Sequence, residues 1–265
     1  MKVNEAAVAP HLGHGDALVG DIVPGMASFR FDDNCAPVSD CDITTEGELR
    51  QAVTMGGAYT ICDSLLLTGG QLLVDTSVTL MSAGPDNAVI DGGGSSRVFF
   101  IDGAGGALTL TNITVTGGGS SGNINGSGAF NAGGTILLNG TSCLTGNSSN
   151  FGGGISNQGG HIILNDASCV SDNSAAQDGG GIYNFSGGII EMNDSSFISG
   201  NDALFGGGIS NHGGQVVMTG GAFISNNSSM LPGGGVWNLG GTLSGVTVGD
   251  GGNVFDNVPD NLYQQ

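Results

Sequence analysis

The chain has 265 residues, 53 of them glycine and 38% hydrophobic, and 23 acidic against four basic residues give a net charge of -19. Binding nucleic acid or anionic lipid by charge neutralisation is excluded, because both need Lys or Arg and none follows Arg97. Glycine at about three times its usual share of about 7% would suit collagen or flexible coil, but there is no three-residue register, and β-type runs such as His161-Ile-Ile-Leu164 and Gln215-Val-Val-Met218 rule out coil.

Residues 1–41 carry no repeat, mix Pro, Asp and Gly with short apolar runs, and read as an extended leader or lateral strap. Their first 30 residues lack the charged start and apolar run of a secretory signal. Residues 42–58 read as a cap. Thr45 followed three residues later by Glu48 is a capping box, and it predicts a short helix that closes one end of a β-stack. No apolar run reaches the 18 residues of a membrane span.

Residues 59–265 read as the stack itself, with overt repeats from 126. Gly-Gly-Gly opens at Gly152, Gly179, Gly206 and Gly233, a period of 27 residues, and Asn157, Asn184, Asn211 and Asn238 follow at the same period. Each unit holds three short strands separated by turns and leaves no room for a helical face. The fold class this predicts is all-β: a right-handed, single-stranded parallel β-helix of about eight coils of 26–28 residues. At roughly 4.8 Å per coil, such a rod would be on the order of 40 Å long.

The repeated polar residues fit that geometry. Asn157, Asn184, Asn211 and Asn238 can stack as a buried amide ladder, and Asn147, Asn173, Asn201 and Asn227 mark a second turn. Among the five cysteines, one disulfide in the front part is expected, Cys41 with Cys62 or Cys35 with either. Cys143 and Cys169 occupy equivalent repeat positions in a column continued by Phe197 and Phe223, and read as buried small hydrophobes. Asp166 and Asp194 hold matching positions one coil apart, which makes them the candidate Ca2+ ligands, Ca2+ being the only cofactor the sequence suggests. His161 and His212 fall at different points of their coils and read as a strand-end and a turn histidine.

These residues also carry a family likeness. Gly-Gly-Gly-Ile with a downstream Phe-Ile-Ser-Gly-Asn201 resembles the repeats of polymorphic outer-membrane and autotransporter passenger domains. Val89-Ile90-Asp91-Gly92-Gly93-Gly94, followed by Leu108-Thr-Leu-Thr-Asn-Ile-Thr-Val115, is similar to the opening coils of pectin-lyase-like β-helix proteins. The resemblance implies an extracellular or surface-associated protein, either a polysaccharide-cleaving enzyme or an adhesive stalk. Lyases of that type use Arg or Lys as base, and no coil after Arg97 offers one; Gly13-His14-Gly15 echoes a hydrolase fragment but lies in the leader. No catalytic residue is therefore assigned. The leading expectation is a non-catalytic scaffold or adhesion module whose partner is a polysaccharide or another surface protein. The alternatives are a polysaccharide-active enzyme using acidic residues, or an ice- or mineral-binding protein, for which the Thr-rich stretch Thr109–Thr116 is not repeated coil after coil.

Overall fold

The computed structural model describes residues 41–119 and 125–265, and before them three strands, Ile22–Val23, Met26–Phe31 and Pro37–Ser39. Those three pair antiparallel as a small sheet. The rest of the predicted leader, Cys35 and Gly13-His14-Gly15 included, lies outside the described residues.

Thr45 caps the helix α1 (Glu46–Met55), and the capping box is complete: the Thr45 hydroxyl accepts the Glu48 N–H while the Glu48 carboxylate accepts the Thr45 N–H. Leu49, Ala52 and Val53 bury the inner face of α1 against the top of the stack. The strand Gly57–Ile61 then opens a parallel β-solenoid of about seven turns, with three sheets each eight strands deep and a shorter four-stranded sheet at one corner.

Alternation sets the wall. In the first sheet Val78 and Leu80, Leu108 and Leu110, Ile136 and Leu138, and Ile162 and Leu164 point inward at no more than 1% exposure, while their neighbours face out. In the second sheet Val115, Leu144, Val170, Ile198 and Ile224 continue the same core. In the third, the inward row begins as Val74 and Ile101 and then switches to asparagine at Asn131.

From that switch downward the amides stack. Asn131 Nδ2 donates to Asn157 Oδ1 (2.9 Å), Asn157 to Asn184 (2.8 Å), Asn184 to Asn211 (2.8 Å) and Asn211 to Asn238 (2.7 Å). Each Nδ2 also donates to a glycine carbonyl in its own coil, as Asn184 does to Gly188 (2.8 Å), so both amide protons are used. The ladder explains the glycine pairs that follow it: a Cβ on Gly160, Gly188, Gly214 or Gly241 would fall on a ladder amide. In the triplets only the first glycine needs a left-handed backbone (Gly152 φ 63°, Gly179 φ 67°). The second and third lie where a Cβ would strike the backbone of the next coil.

Two further rows run alongside. Asn147, Asn173, Asn201 and Asn227 form a chain of side-chain bonds of 2.9–3.0 Å that continues through Asn257 to Asn261. Asn139, Asn165 and Asn193 form a third, closed by the Thr219 hydroxyl (2.8 Å), with its amides pointing the other way along the axis.

One sequence expectation is corrected here. Cys143 and Cys169 are buried, at 8% and 7% exposure, but not as free thiols in the central core; the inward residues beside them are Leu144 and Val170, and the column Cys143, Cys169, Phe197, Phe223 lies on the outer side of the second sheet. In-register pairing brings the two cysteines to a Cα separation of 4.5 Å, and they form a disulfide. Phe197 and Phe223 stack below them at 5.3 Å. The front pair, Cys41 and Cys62, is also bonded, with Cα atoms 5.8 Å apart, which fastens the cap to the first coil.

Candidate functional site

Asp166 and Asp194 lie one coil apart in a column of left-handed turn residues, with φ 56° and 55°, flanked by Asn112, Gly140 and Gly220 in the same conformation. Among L-residues Asn and Asp tolerate that region best, which accounts for their presence. Each carboxylate already serves the backbone. Asp166 Oδ2 accepts the Gly140 N–H at 2.7 Å and Asp194 Oδ2 accepts the Asp166 N–H at 3.2 Å. Among the described residues no group of three or more His, Cys, Asp or Glu side chains is disposed to hold a metal ion.

The concentration of chemistry lies elsewhere, on the outer side of the third sheet. Its strands run Ile155–Gln158, Ile182–Phe185, Ile209–His212 and Val236–Leu239. Because the first and third residues of each point inward, the second and fourth point outward. The second positions stack as Phe130, Ser156, Tyr183, Ser210 and Trp237. At the fourth positions Phe185 pairs with His212. The residue preceding each triplet adds a flanking column of Phe151, Asp178 and Phe205, the last two bridged in register.

These columns close on one another. Phe151 and Tyr183 have ring centroids 5.3 Å apart, Tyr183 and Phe185 4.8 Å, and Phe205 and Trp237 4.3 Å. His212 stands edge-on between Tyr183 (5.1 Å) and Trp237 (5.0 Å). Ser156 and Ser210, fully covered although they face outward, have hydroxyls without a hydrogen-bond partner, and so does His212 Nε2. Asp178 Oδ2 lies 3.8 Å from His212 Nε2, and the Asp178 side chain is only 13% exposed.

Burial governs the titration here. It pushes the Asp178 carboxyl up to about 6, and it lowers His212 below the usual imidazole range. Burial, and then the nearby Asp178 charge, raises the Tyr183 phenol. The His212 reading is thus corrected: it is a half-buried member of a ring cluster, not an exposed turn histidine. His161 sits on the first sheet, 3.1 Å from Glu191 Oε1, and takes no part.

Asp178, Tyr183, Phe205 and Trp237 were not singled out from the sequence, although the signal was present. Aligning the repeats on the triplet gives Phe, Asp, Phe and Pro immediately before it and Ser, Tyr, Ser and Trp two residues after its last glycine. Alternation then sends the latter outward.

No protein family, no curated protein and no solved structure matches the chain. No helix among the described residues is long and apolar enough to cross a membrane.

Proposed function

We propose that this protein is an extracellular recognition rod, a β-helix that holds a ring-lined face outward to bind a glycan. The observation that carries the reading is the run of half-buried rings on the outer side of the third sheet, Phe151, Tyr183, Phe205 and Trp237, which surrounds polar groups that have no partner among the described residues. A rod needs no aromatic residues on its outside for stability, and such clusters mark recognition surfaces. Ring faces receive the C–H faces of pyranoses, while Asp178 and His212 supply direction. Two disulfides support an oxidising, extracellular setting. The likeness of the triplet and Phe-Ile-Ser motifs to passenger and pectin-lyase-like repeats supports the same placement.

The test is a panel of neutral, acidic and amine-bearing polysaccharides, with binding and cleavage scored separately. Binding that falls at least about tenfold in Trp237→Ala, without any product, is the expected outcome. Loss of all binding selectivity for glycans would remove the reading.

A second reading, polysaccharide hydrolysis, is favoured by the Asp178 carboxyl at about 6, since a carboxyl that still holds a proton in mildly acidic solution can act as a general acid. Paired-carboxylate hydrolysis needs a second acid at about 5–9 Å, and the titratable side chain beside Asp178, 3.8 Å away, is His212 instead. Product formation abolished in Asp178→Asn would establish this reading over the first.

A further inference from the structure

The geometry points to the ligand's chemical class: a glycan bearing free, protonated amines, whose ammonium group is received by Asp178 and whose sugar ring lies on Tyr183 and Trp237. This inference rests on the recognition-face reading above and narrows it.

Asp178 differs from the other coil acids that are held in place. Asp166, Asp194 and Asp260 each accept a backbone N–H. Among the described residues no N–H or O–H donates to the Asp178 carboxylate, and His212 Nε2, at 3.8 Å, is beyond hydrogen-bond reach. A carboxylate kept mostly from water without a donor lacks its partner. Among the described residues no Lys or Arg fills that place, and none follows Arg97 in the sequence.

The surroundings select the kind of cation. Phe151 and Phe205 occupy the coils before and after Asp178, and Tyr183 and the Phe205–Trp237 pair complete the wall. A hard ion such as Ca2+ is best held by several carboxylates at once, and among the described residues no group of three or more His, Cys, Asp or Glu side chains is disposed to hold one. An organic ammonium is satisfied by one carboxylate and ring faces. The same row already holds a cation on ring faces: the guanidinium of Arg97 lies over Phe100 and Phe130, 5.4 and 4.9 Å from the ring centroids, with its N–H groups on the Asn125 and Gly126 carbonyls. Farther along, the row carries Tyr183 and Trp237, and the flanking column beside it carries Asp178.

Net charge adds selectivity at long range. At -19 the rod repels uronate polymers and attracts amine-bearing ones. A pyranose carrying a protonated amine joins both elements of the face in one unit.

The test is calorimetric titration at about pH 6, where most amines of the oligomer carry a proton and an ammonium beside Asp178 favours its ionised form, with a β-1,4-linked glucosamine hexamer and its N-acetylated counterpart. The free-amine oligomer is expected to bind at least about tenfold more tightly. Asp178→Asn, which removes a charge without changing shape, should abolish that preference. Asp202→Asn, which removes the same charge from an exposed site on the corner sheet, should retain it, separating a site from general attraction of a polycation. Equal binding of the two oligomers, lost in Trp237→Phe, would overturn the ammonium assignment and leave the recognition face standing. Binding of a lysine homopolymer with neither oligomer bound would overturn both.

Discussion

At the scale of single residues, what distinguishes this chain is how its buried polar groups are treated. Asn184 is completely buried, yet its amide donates to Asn211 and Gly188 and accepts from Asn157. Replacing it with alanine strands partners above and below, so Asn184→Ala is expected to cost about 1–3 kcal/mol in chemical denaturation. Asn193 belongs to the half-buried third row with Asn165 and Thr219. Its partners can turn to water, and Asn193→Ala should cost less, about 0.5–1 kcal/mol. Equal, negligible losses at both positions would remove the ladder as a source of stability. Asp178 departs from this economy, as the Ser156 and Ser210 hydroxyls do, and being titratable it should show in the pH dependence of folding. Its carboxyl sits near 6 when folded against a usual 3.8. Between those values the native state holds a proton that the unfolded chain has released, so stability falls as pH rises through the window and the penalty is complete above it. With some solvent access the penalty is about 1–2 kcal/mol. Glu46 works in the opposite direction: the Gly69 N–H first, then the Thr68 hydroxyl and N–H and Arg50, hold it near 2 instead of 4.5. Its contribution is present above 4.5 and is lost as pH falls towards 2. Urea midpoints of wild type and Asp178→Asn should diverge as pH rises from about 4 to 6 and run parallel elsewhere; superimposable curves would mean that the Asp178 carboxyl is not perturbed.

At the scale of elements, the strand rows and the cap were legible before the structure, for different reasons. The capping box at Thr45 and Glu48 is a local signal that needs only four residues. The 27-residue period is self-similarity, and it fixes which residues share a row even when no single strand is strongly marked. What periodicity alone leaves open is which side of the wall a column faces. Phe197 and Phe223 read as core because they are apolar, whereas the inward positions belong to Ile198 and Ile224. With that column assigned to the core, the disulfide between Cys143 and Cys169 is not legible, and Asp178 and Trp237 emerge only once the outward columns are aligned. The disulfide joins adjacent coils across 26 residues. A closed loop of that length restrains the unfolded chain by about 3 kcal/mol, so the double variant Cys143→Ser with Cys169→Ser is expected to lose about 2–4 kcal/mol. No loss in the double variant, measured with Cys41 and Cys62 still bonded, would show that stacking of the strands already holds the two coils.

For the whole molecule the decisive quantity is charge. Ten acidic residues and no Lys or Arg occupy positions 98–265, so the rod repels itself along its length. Two ways of relieving that repulsion predict different responses. If the acids are splayed into water, any salt screens them, and the melting temperature should climb with ionic strength whatever the cation. If Asp166 and Asp194 hold Ca2+, millimolar Ca2+ should raise the melt beyond the effect of sodium at the same ionic strength. The turn geometry favours the first. Each of these carboxylates already gives one oxygen to a backbone N–H of its neighbour, and the column is left-handed, which selects Asp and Asn for conformational reasons alone. The expected result is a melting temperature that rises with NaCl and does not distinguish Ca2+ at matched ionic strength, with no heat in a calcium titration. A calcium-specific rise that disappears in Asp194→Asn would place the ion on that turn and add a second, inorganic cation site on a coil face separate from Asp178.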